Sequence, residues 1–161
     1  MKTVGSVKED LSLEKRISVT PETVTKFTEL NFSVLLEKNY GEHLGIFDEE
    51  YKNKGVTFVN SKEEVFKKSE IILKVNCPST DEINLIKDKS ILIGQFDPLL
   101  DKEILSQLIK KKIKTFSLNL LPRITRAQSM DVLSSQANLA GYRAVIESIK
   151  EFGKAVPMMM T

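Results

Sequence analysis

Short apolar runs alternate along the chain with segments whose apolar residues recur at helical spacing, at intervals of roughly 20 to 25 residues. That alternation is typical of a mostly parallel β-sheet, because parallel neighbours are joined by crossover helices that cover the sheet faces. The sequence therefore predicts an α/β fold, Rossmann-like or flavodoxin-like, with helices on both faces. The predicted strands are 3–7, 32–37, 56–59, 71–75, 90–94 and 113–118.

Several predicted helices begin with local capping signals. Thr20, Pro21 and Glu22 supply an N-cap, a proline at the first helical position and an acidic first turn. Asp48 is predicted to cap a short helix, and Ser61 with Glu64 has the spacing of a capping box. The predicted helices are 21–30, 48–54, 62–68, 81–87, 101–111 and 126–152.

The last predicted helix, Arg126 to about Phe152, is unusually long and contains no proline. At 1.5 Å per residue it spans roughly 40 Å, so we expect it to reach beyond its own domain. One side carries an apolar stripe that is expected to pack: Met130, Leu133, Ala137, Ala140 and Ala144. The other side carries a polar strip: Gln128, Asp131, Ser135, Asn138 and Tyr142, with Ser134 on its flank.

The polar strip contains amides, hydroxyls and one carboxylate instead of the lysines and glutamates of an ordinary solvated face. Together with Arg123 or Arg126, these groups suit a ligand that presents an amide and a cation or phosphates. A nicotinamide dinucleotide is such a ligand. A hydrogen-bonded helix–helix or subunit contact would use the same groups, and composition does not choose between the two interpretations.

Composition narrows the classes of function. With 161 residues, 41% hydrophobic and 29% charged, the chain is expected to form a single domain, 1–161. A net charge of +2 argues against a nucleic-acid partner, and one cysteine and one histidine argue against disulfides and a metal site. No apolar run approaches the length of a membrane span, so no direct membrane insertion is expected. The glycine patterns of dinucleotide and nucleotide phosphate loops are also missing.

Arg16 and Lys74 are the cations expected near a ligand crevice. Lys74 ends a predicted buried strand, and strand C-termini in α/β sheets face the site where ligands bind. For each of them an ion pair or a rim position is the alternative.

The segment 122–145, PRITRAQSMDVLSSQANLAGYRAV, resembles the signature of the α subunit in the family of proton-translocating NAD(P) transhydrogenases. Three earlier segments agree with it: EKRISVTP at 14–21, FDEEY at 47–51 and IILKV at 71–75. The resemblance covers essentially the whole chain. It identifies the chain as the N-terminal domain of the NAD(H)-binding component, and the Rossmann domain that follows in the family is absent from this chain.

The resemblance implies an oxidoreductase component that transfers hydride between NAD(H) and NADP(H), coupled to proton translocation. NAD(H) would bind mainly with the missing second domain, and NADP(H) would lie on a partner component. The expected partners are a second copy, in a homodimer, and the NADP(H)-binding and membrane-spanning components. They would hold the chain peripherally on the cytoplasmic face of the inner membrane. The chain alone is expected to be inactive and to bind NADH weakly or not at all.

The resemblance also implies site residues. Arg123 and Asp131 would orient and polarise the nicotinamide carboxamide, and Ser134 would hydrogen-bond to it. Gln128 would reach toward the partner nucleotide, so that Asp131 and Gln128 are the residues assigned to the reacting centre. No metal is implied, and no general acid or base is needed for direct hydride transfer.

Two alternatives accompany this assignment. Alanine dehydrogenase resembles the same domain, and counterparts of Arg16 and Lys74 bind its substrate. Its catalytic histidine corresponds to Asp97 here, and an aspartate is a poor proton donor at neutral pH, so this activity is disfavoured. The second alternative is a non-catalytic dimerisation module, in which the long helix contacts another subunit and no nucleotide is involved.

Overall fold

The computed structural model describes residues 1–97 and 102–154. The chain divides into two compact units, Met1–Leu120 and Leu121–Thr161. The predicted helix start at Asp101 and the apolar segment 157–161 lie outside the described residues.

A parallel sheet forms the framework of the first unit. Its strands are β1 (Lys2–Ser6), β2 (Phe32–Glu37), β3 (Thr57–Val59), β4 (Ile71–Leu73), β5 (Ile91–Gly94) and β6 (Lys114–Ser117). They lie in the order β3-β2-β1-β4-β5-β6, and neighbouring strands pair in parallel. This is the strand order of doubly wound nucleotide-binding folds, in which ligands bind beyond the carboxyl ends of the strands. The predicted α/β fold is confirmed.

The helices begin where the capping signals place them. They are α1 (Pro21–Glu29), α2 (Asp48–Lys52), α3 (Lys62–Lys68), α4 (Thr80–Leu85), α5 (Lys102–Lys110) and α6 (Val132–Phe152), with 3-10 turns at Glu42–Leu44, Leu118–Leu120 and Thr125–Met130. Thr20 caps α1, and the Thr23 hydroxyl accepts the Thr20 N–H in return at 2.8 Å.

Side chains of β2 point alternately to two hydrophobic cores, one on each face of the sheet. Leu35 lies in one core, whereas Val34 and Leu36 lie in the other. The first core is centred on Val65, Phe66, Ile72, Ile83, Ile86 and Leu92, and the second on Val19, Val24, Tyr40 and Tyr51. Burial on both faces explains why the strands are short, continuous apolar runs.

Two predicted helix caps can be compared with the observed ones. Asp48 is the first residue of α2 and Phe47 occupies the cap position, because the Asp48 carboxylate accepts the Asn39 N–H at 3.0 Å instead. Ser61 does cap α3, by accepting the Glu64 N–H.

The long C-terminal helix is present, but it begins at Val132 and not at Arg126. The preceding residues form the 3-10 turn Thr125–Met130, and Asp131 leaves helical geometry with φ −77° and ψ 85° before α6 starts. None of the described helices is long and apolar enough to cross a membrane.

The predicted packing of the apolar stripe on this helix was wrong for the chain by itself. No side chain of α6 is buried, and Leu133 is 42% exposed. Larger apolar side chains are exposed elsewhere on α6: Leu139, Tyr142, Val145, Ile146, Ile149 and Phe152. The apolar surface of α6 is therefore wider than the stripe suggested.

Candidate functional site

The second unit contains a cavity of about 330 Å³ where the 3-10 turn meets the start of α6. We call it the Arg123 cavity; it is lined by Pro122, Arg123, Ile124, Thr125, Ala127, Gln128, Asp131 and Ser134. Apolar and polar side chains share the lining, as is common in ligand sites where a few polar groups fix orientation.

Two successive helix starts shape the Arg123 cavity. Ile124 is extended and precedes the 3-10 turn, whose buried residue is Ala127. Asp131 then breaks the turn and caps α6. The backbone therefore changes direction twice within about ten residues, which brings residues 122–125 and 128–134 around one space.

Asp131 is the most constrained polar group of the cavity. Its Oδ1 accepts the Ser134 N–H at 3.0 Å, and its Oδ2 accepts the Ser134 hydroxyl at 2.5 Å. The hydroxyl bond lowers the pKa of Asp131 below the ordinary value of 3.8, and the positive charge of Arg123 acts in the same direction. The cavity therefore presents a fixed carboxylate that is ionised at neutral pH.

The Asp131–Ser134 bond also fixes what Ser134 can offer. Because the hydroxyl proton is donated to Asp131, the remaining lone pairs of the Ser134 oxygen are acceptors. Arg123 contributes only donors, and the Gln128 amide contributes both kinds of group. This set matches a primary carboxamide, which needs donors for its oxygen and acceptors for its nitrogen.

All four residues predicted as the site, Arg123, Gln128, Asp131 and Ser134, lie in the lining of this one cavity. They do not share one helical face, as the helical wheel had suggested: Gln128 is in the 3-10 turn and Asp131 is the N-cap. Thr125 and the apolar walls Pro122, Ile124 and Ala127 were missed. The spacing of Asp131 and Ser134, typical of an N-cap followed by its N3 residue, was the local signal that could have located the bend.

The other polar-strip residues lie farther along α6, and none of them belongs to the cavity lining. Ser135 bonds its hydroxyl to the Asp131 carbonyl at 3.0 Å, which satisfies the first turn of the helix. Asn138 and Tyr142 are exposed. The strip therefore divides into a cavity-lining part and a surface part.

Arg16 and Lys74, the cations expected near a crevice in the first unit, both have carboxylate partners. Arg16 makes a bidentate pair with Glu14 at 2.9 and 2.7 Å and donates to Gln95. Lys74 is buried between Glu9 and Glu82. Within residues 1–97 and 102–154 there is no cluster of histidine, cysteine and acidic residues that could hold a metal ion.

Comparison with known proteins connects this geometry to a family. Residues 5–140 match the family described as alanine dehydrogenase/PNT, N-terminal domain. An NAD(P) transhydrogenase subunit alpha of Rhodospirillum rubrum is 40% identical over 153 residues, which cover 92% of this chain and 40% of the relative. The chain thus spans about two-fifths of that relative's length.

A solved structure of transhydrogenase from Sinorhizobium meliloti matches 99% of this chain and 48% of its own, with a TM-score of 0.88 and 41% identity. Alanine dehydrogenase of Methanococcus maripaludis is less similar, 29% identical over 88% of this chain and 38% of its own length. The transhydrogenase likeness is therefore the stronger of the two.

Proposed function

Because the chain belongs to the alanine dehydrogenase/PNT N-terminal domain family, we propose that it is the N-terminal domain of the NAD(H)-binding α subunit of an NAD(P) transhydrogenase. In this proposal the whole chain, 1–161, acts as one domain of an oxidoreductase component. The Arg123 cavity receives the nicotinamide end of NAD(H). The observation that carries the proposal is the convergence of Arg123, Gln128, Asp131 and Ser134 on one cavity.

The residues of the cavity fit the carboxamide of a nicotinamide ring. Arg123 donates to its oxygen, and the Asp131 carboxylate accepts from its nitrogen, so the two charges hold opposite ends of one planar group. Ser134 adds an acceptor and fixes Asp131 in place. Gln128 lies on the same lining and reaches toward the second nucleotide.

Positioning is the catalytic contribution of these side chains. When bound, the nicotinamide supplies the hydride that is transferred. The fixed carboxylate and guanidinium orient the ring, and the apolar residues Pro122 and Ile124 exclude water from one side of it. No proton needs to move, which agrees with a carboxylate whose pKa is lowered and not raised.

The remaining elements of the proposal concern the assembly. NADP(H) binds to a separate component, and a membrane-spanning component couples hydride transfer to proton translocation. The subunit is a homodimer held at the cytoplasmic face of the inner membrane by its partners. The exposed apolar side chains of α6 support an assembly role, because monomeric proteins rarely expose large apolar patches. The same observation favours a dimerisation module as the second candidate function.

Nucleotide affinity tests the cavity. In the whole α subunit, Arg123→Ala is expected to raise the NADH Kd at least tenfold in a fluorescence titration, because one end of the carboxamide loses its donor. Arg126→Ala is the matched control: Arg126 lies in the same 3-10 turn and is exposed, but it is absent from the cavity lining. Equal Kd values for the two variants would contradict the proposed site and favour the dimerisation module.

A further inference from the structure

A second cavity, of about 330 Å³, lies in the first unit at the carboxyl ends of the central strands. We call it the Lys74 cavity. Lys74 directly follows β4, Glu9 follows β1 by three residues, and Glu82 lies on α4. In doubly wound sheets this edge is where ligands bind, and a buried lysine there is suited to a small anion. The chain nevertheless places its own carboxylates against that lysine.

Glu9 and Glu82 flank Lys74 closely. The Lys74 Nζ lies 3.4 Å from Glu9 Oε2 and 3.1 Å from Glu82 Oε2. The three side chains are almost removed from solvent, with exposed fractions of 5% for Lys74, 4% for Glu9 and 13% for Glu82. At such burial the charges are weakly screened, so each carboxylate strongly affects any other charge that enters.

Both carboxylates are fixed by groups other than Lys74. Glu9 Oε1 accepts the Val75 N–H at 2.6 Å, and Glu82 Oε2 accepts the Ser79 N–H at 3.2 Å. Lys62 also approaches Glu82, at 3.4 Å from Oε1. These backbone bonds hold the two carboxylates at the positions that an incoming anion would need, so the ligand would have to displace anchored groups.

The charge around the Lys74 cavity also disfavours an anion. Glu9, Asp10 and Glu82 face it with three negative charges, against the two positive charges of Lys62 and Lys74, which leaves a net charge of −1. We propose that Glu9 and Glu82 are specificity-determining residues that close this cavity to small carboxylate ligands. Neutralising both converts Lys74 into an anion site. This inference is independent of the nucleotide site.

Thermal unfolding with oxalate as the probe tests the inference. The Glu9→Gln/Glu82→Gln variant keeps the side-chain shapes and removes both charges. Saturating oxalate is expected to raise its Tm by about 5 °C relative to sodium chloride at equal ionic strength, because a ligand stabilises the state that it binds. The wild-type Tm should not respond. Adding Lys74→Met to the double variant should abolish the rise.

Each remaining outcome is decisive. Oxalate binding by the wild type would overturn the inference, since the cavity would then not be closed. A Tm response of the double variant that persists without Lys74 would also overturn it. Should the double variant fail to fold, Glu82→Gln alone keeps the Glu9–Lys74 pair. It is expected to bind oxalate more tightly than the wild type, and equal binding would refute the proposal.

Discussion

The two compact units of the chain differ in how they use their apolar residues. Met1–Leu120 buries them on both faces of a parallel sheet, in two separate cores. In the described segment of Leu121–Thr161, the helix α6 has no buried residue, and six of its large apolar side chains beyond Leu133 are exposed. One unit therefore carries its own stability, whereas the other presents apolar surface.

The difference separates folding from function. A lone helix of about 20 residues gains little from backbone hydrogen bonds alone, so most helical stability comes from packing. The second unit also holds the Arg123 cavity, whose carboxylate is the cap of that same helix. Its residues thus serve binding and contact with other surfaces, while the first unit provides a stable scaffold.

The largest expected effect compares two isoleucines. Ile72 is fully buried in β4, and Ile149 on α6 is 48% exposed. Ile72→Ala is expected to lower the free energy of unfolding by about 2–5 kcal/mol, because it leaves a cavity, whereas Ile149→Ala should change it by less than about 0.5 kcal/mol. Urea unfolding at low protein concentration measures both. A loss as large for Ile149→Ala would show that α6 is packed after all.

Two glycines sharpen the same comparison. A methyl group on Gly5 in β1 would lie 2.0 Å from the buried Ser69 Oγ, whereas one on Gly141 in α6 would meet no atom within 4 Å. Gly5→Ala is expected to destabilise the fold by about 1–3 kcal/mol. Gly141→Ala should stabilise α6 by about 0.5–1 kcal/mol, because alanine is the better helix former. Thermal unfolding followed by circular dichroism at 222 nm distinguishes them. Destabilisation by both would contradict the open surface assigned to α6.

The cap of α6 should matter because that helix has no buried face. Asp131→Ala removes the acceptor for the Ser134 N–H and is expected to reduce the helical signal at 222 nm by fraying the first turn. Asp131→Asn keeps an acceptor at the cap and is expected to retain the signal. If both variants lose the same helical signal, the role of Asp131 in the structure is not that of a cap.

The smallest expected effect is on a titration. The Ser134 hydroxyl lowers the pKa of Asp131, so the ionised cap stabilises α6 above pH 3.8, and the stabilisation is lost as the pH falls through the lowered pKa. Ser134→Ala should raise the pKa of Asp131 toward 3.8 in a carbon-detected NMR titration. Asp10, whose pKa is lowered by Ser12 in the first unit, is the internal control. A pKa of Asp131 that does not move would contradict the hydroxyl bond.

The sheet could be predicted because its signals are local. Buried parallel strands are short apolar runs, and Thr20 with Pro21 marks a helix start by side-chain chemistry alone. The start of α6 could not be placed from periodicity, since 3-10 and α-helical turns lack distinct patterns over six residues. The Asp131 and Ser134 spacing contained that information, but it was taken for a helical face.

The partners of Lys74 could not be predicted in the same way. Glu9 and Glu82 come from different elements, and Glu9 is 65 positions away in sequence, so only the pairing of β1 with β4 brings them together. The four residues of the Arg123 cavity were predictable because they lie within 12 positions of one another. Sites built from one segment can be recognised in a sequence, whereas sites assembled across strands require the fold.

The most direct test of the proposed site is the rate of hydride transfer in the whole α subunit reconstituted with its NADP(H)-binding partner. Asp131→Asn keeps the cap but removes the carboxylate, so transfer at saturating nucleotides is expected to slow at least tenfold. Asp81→Asn, an exposed aspartate on α4, is the control and should leave the rate unchanged. An unchanged rate in Asp131→Asn would contradict the proposal that this carboxylate orients the nicotinamide.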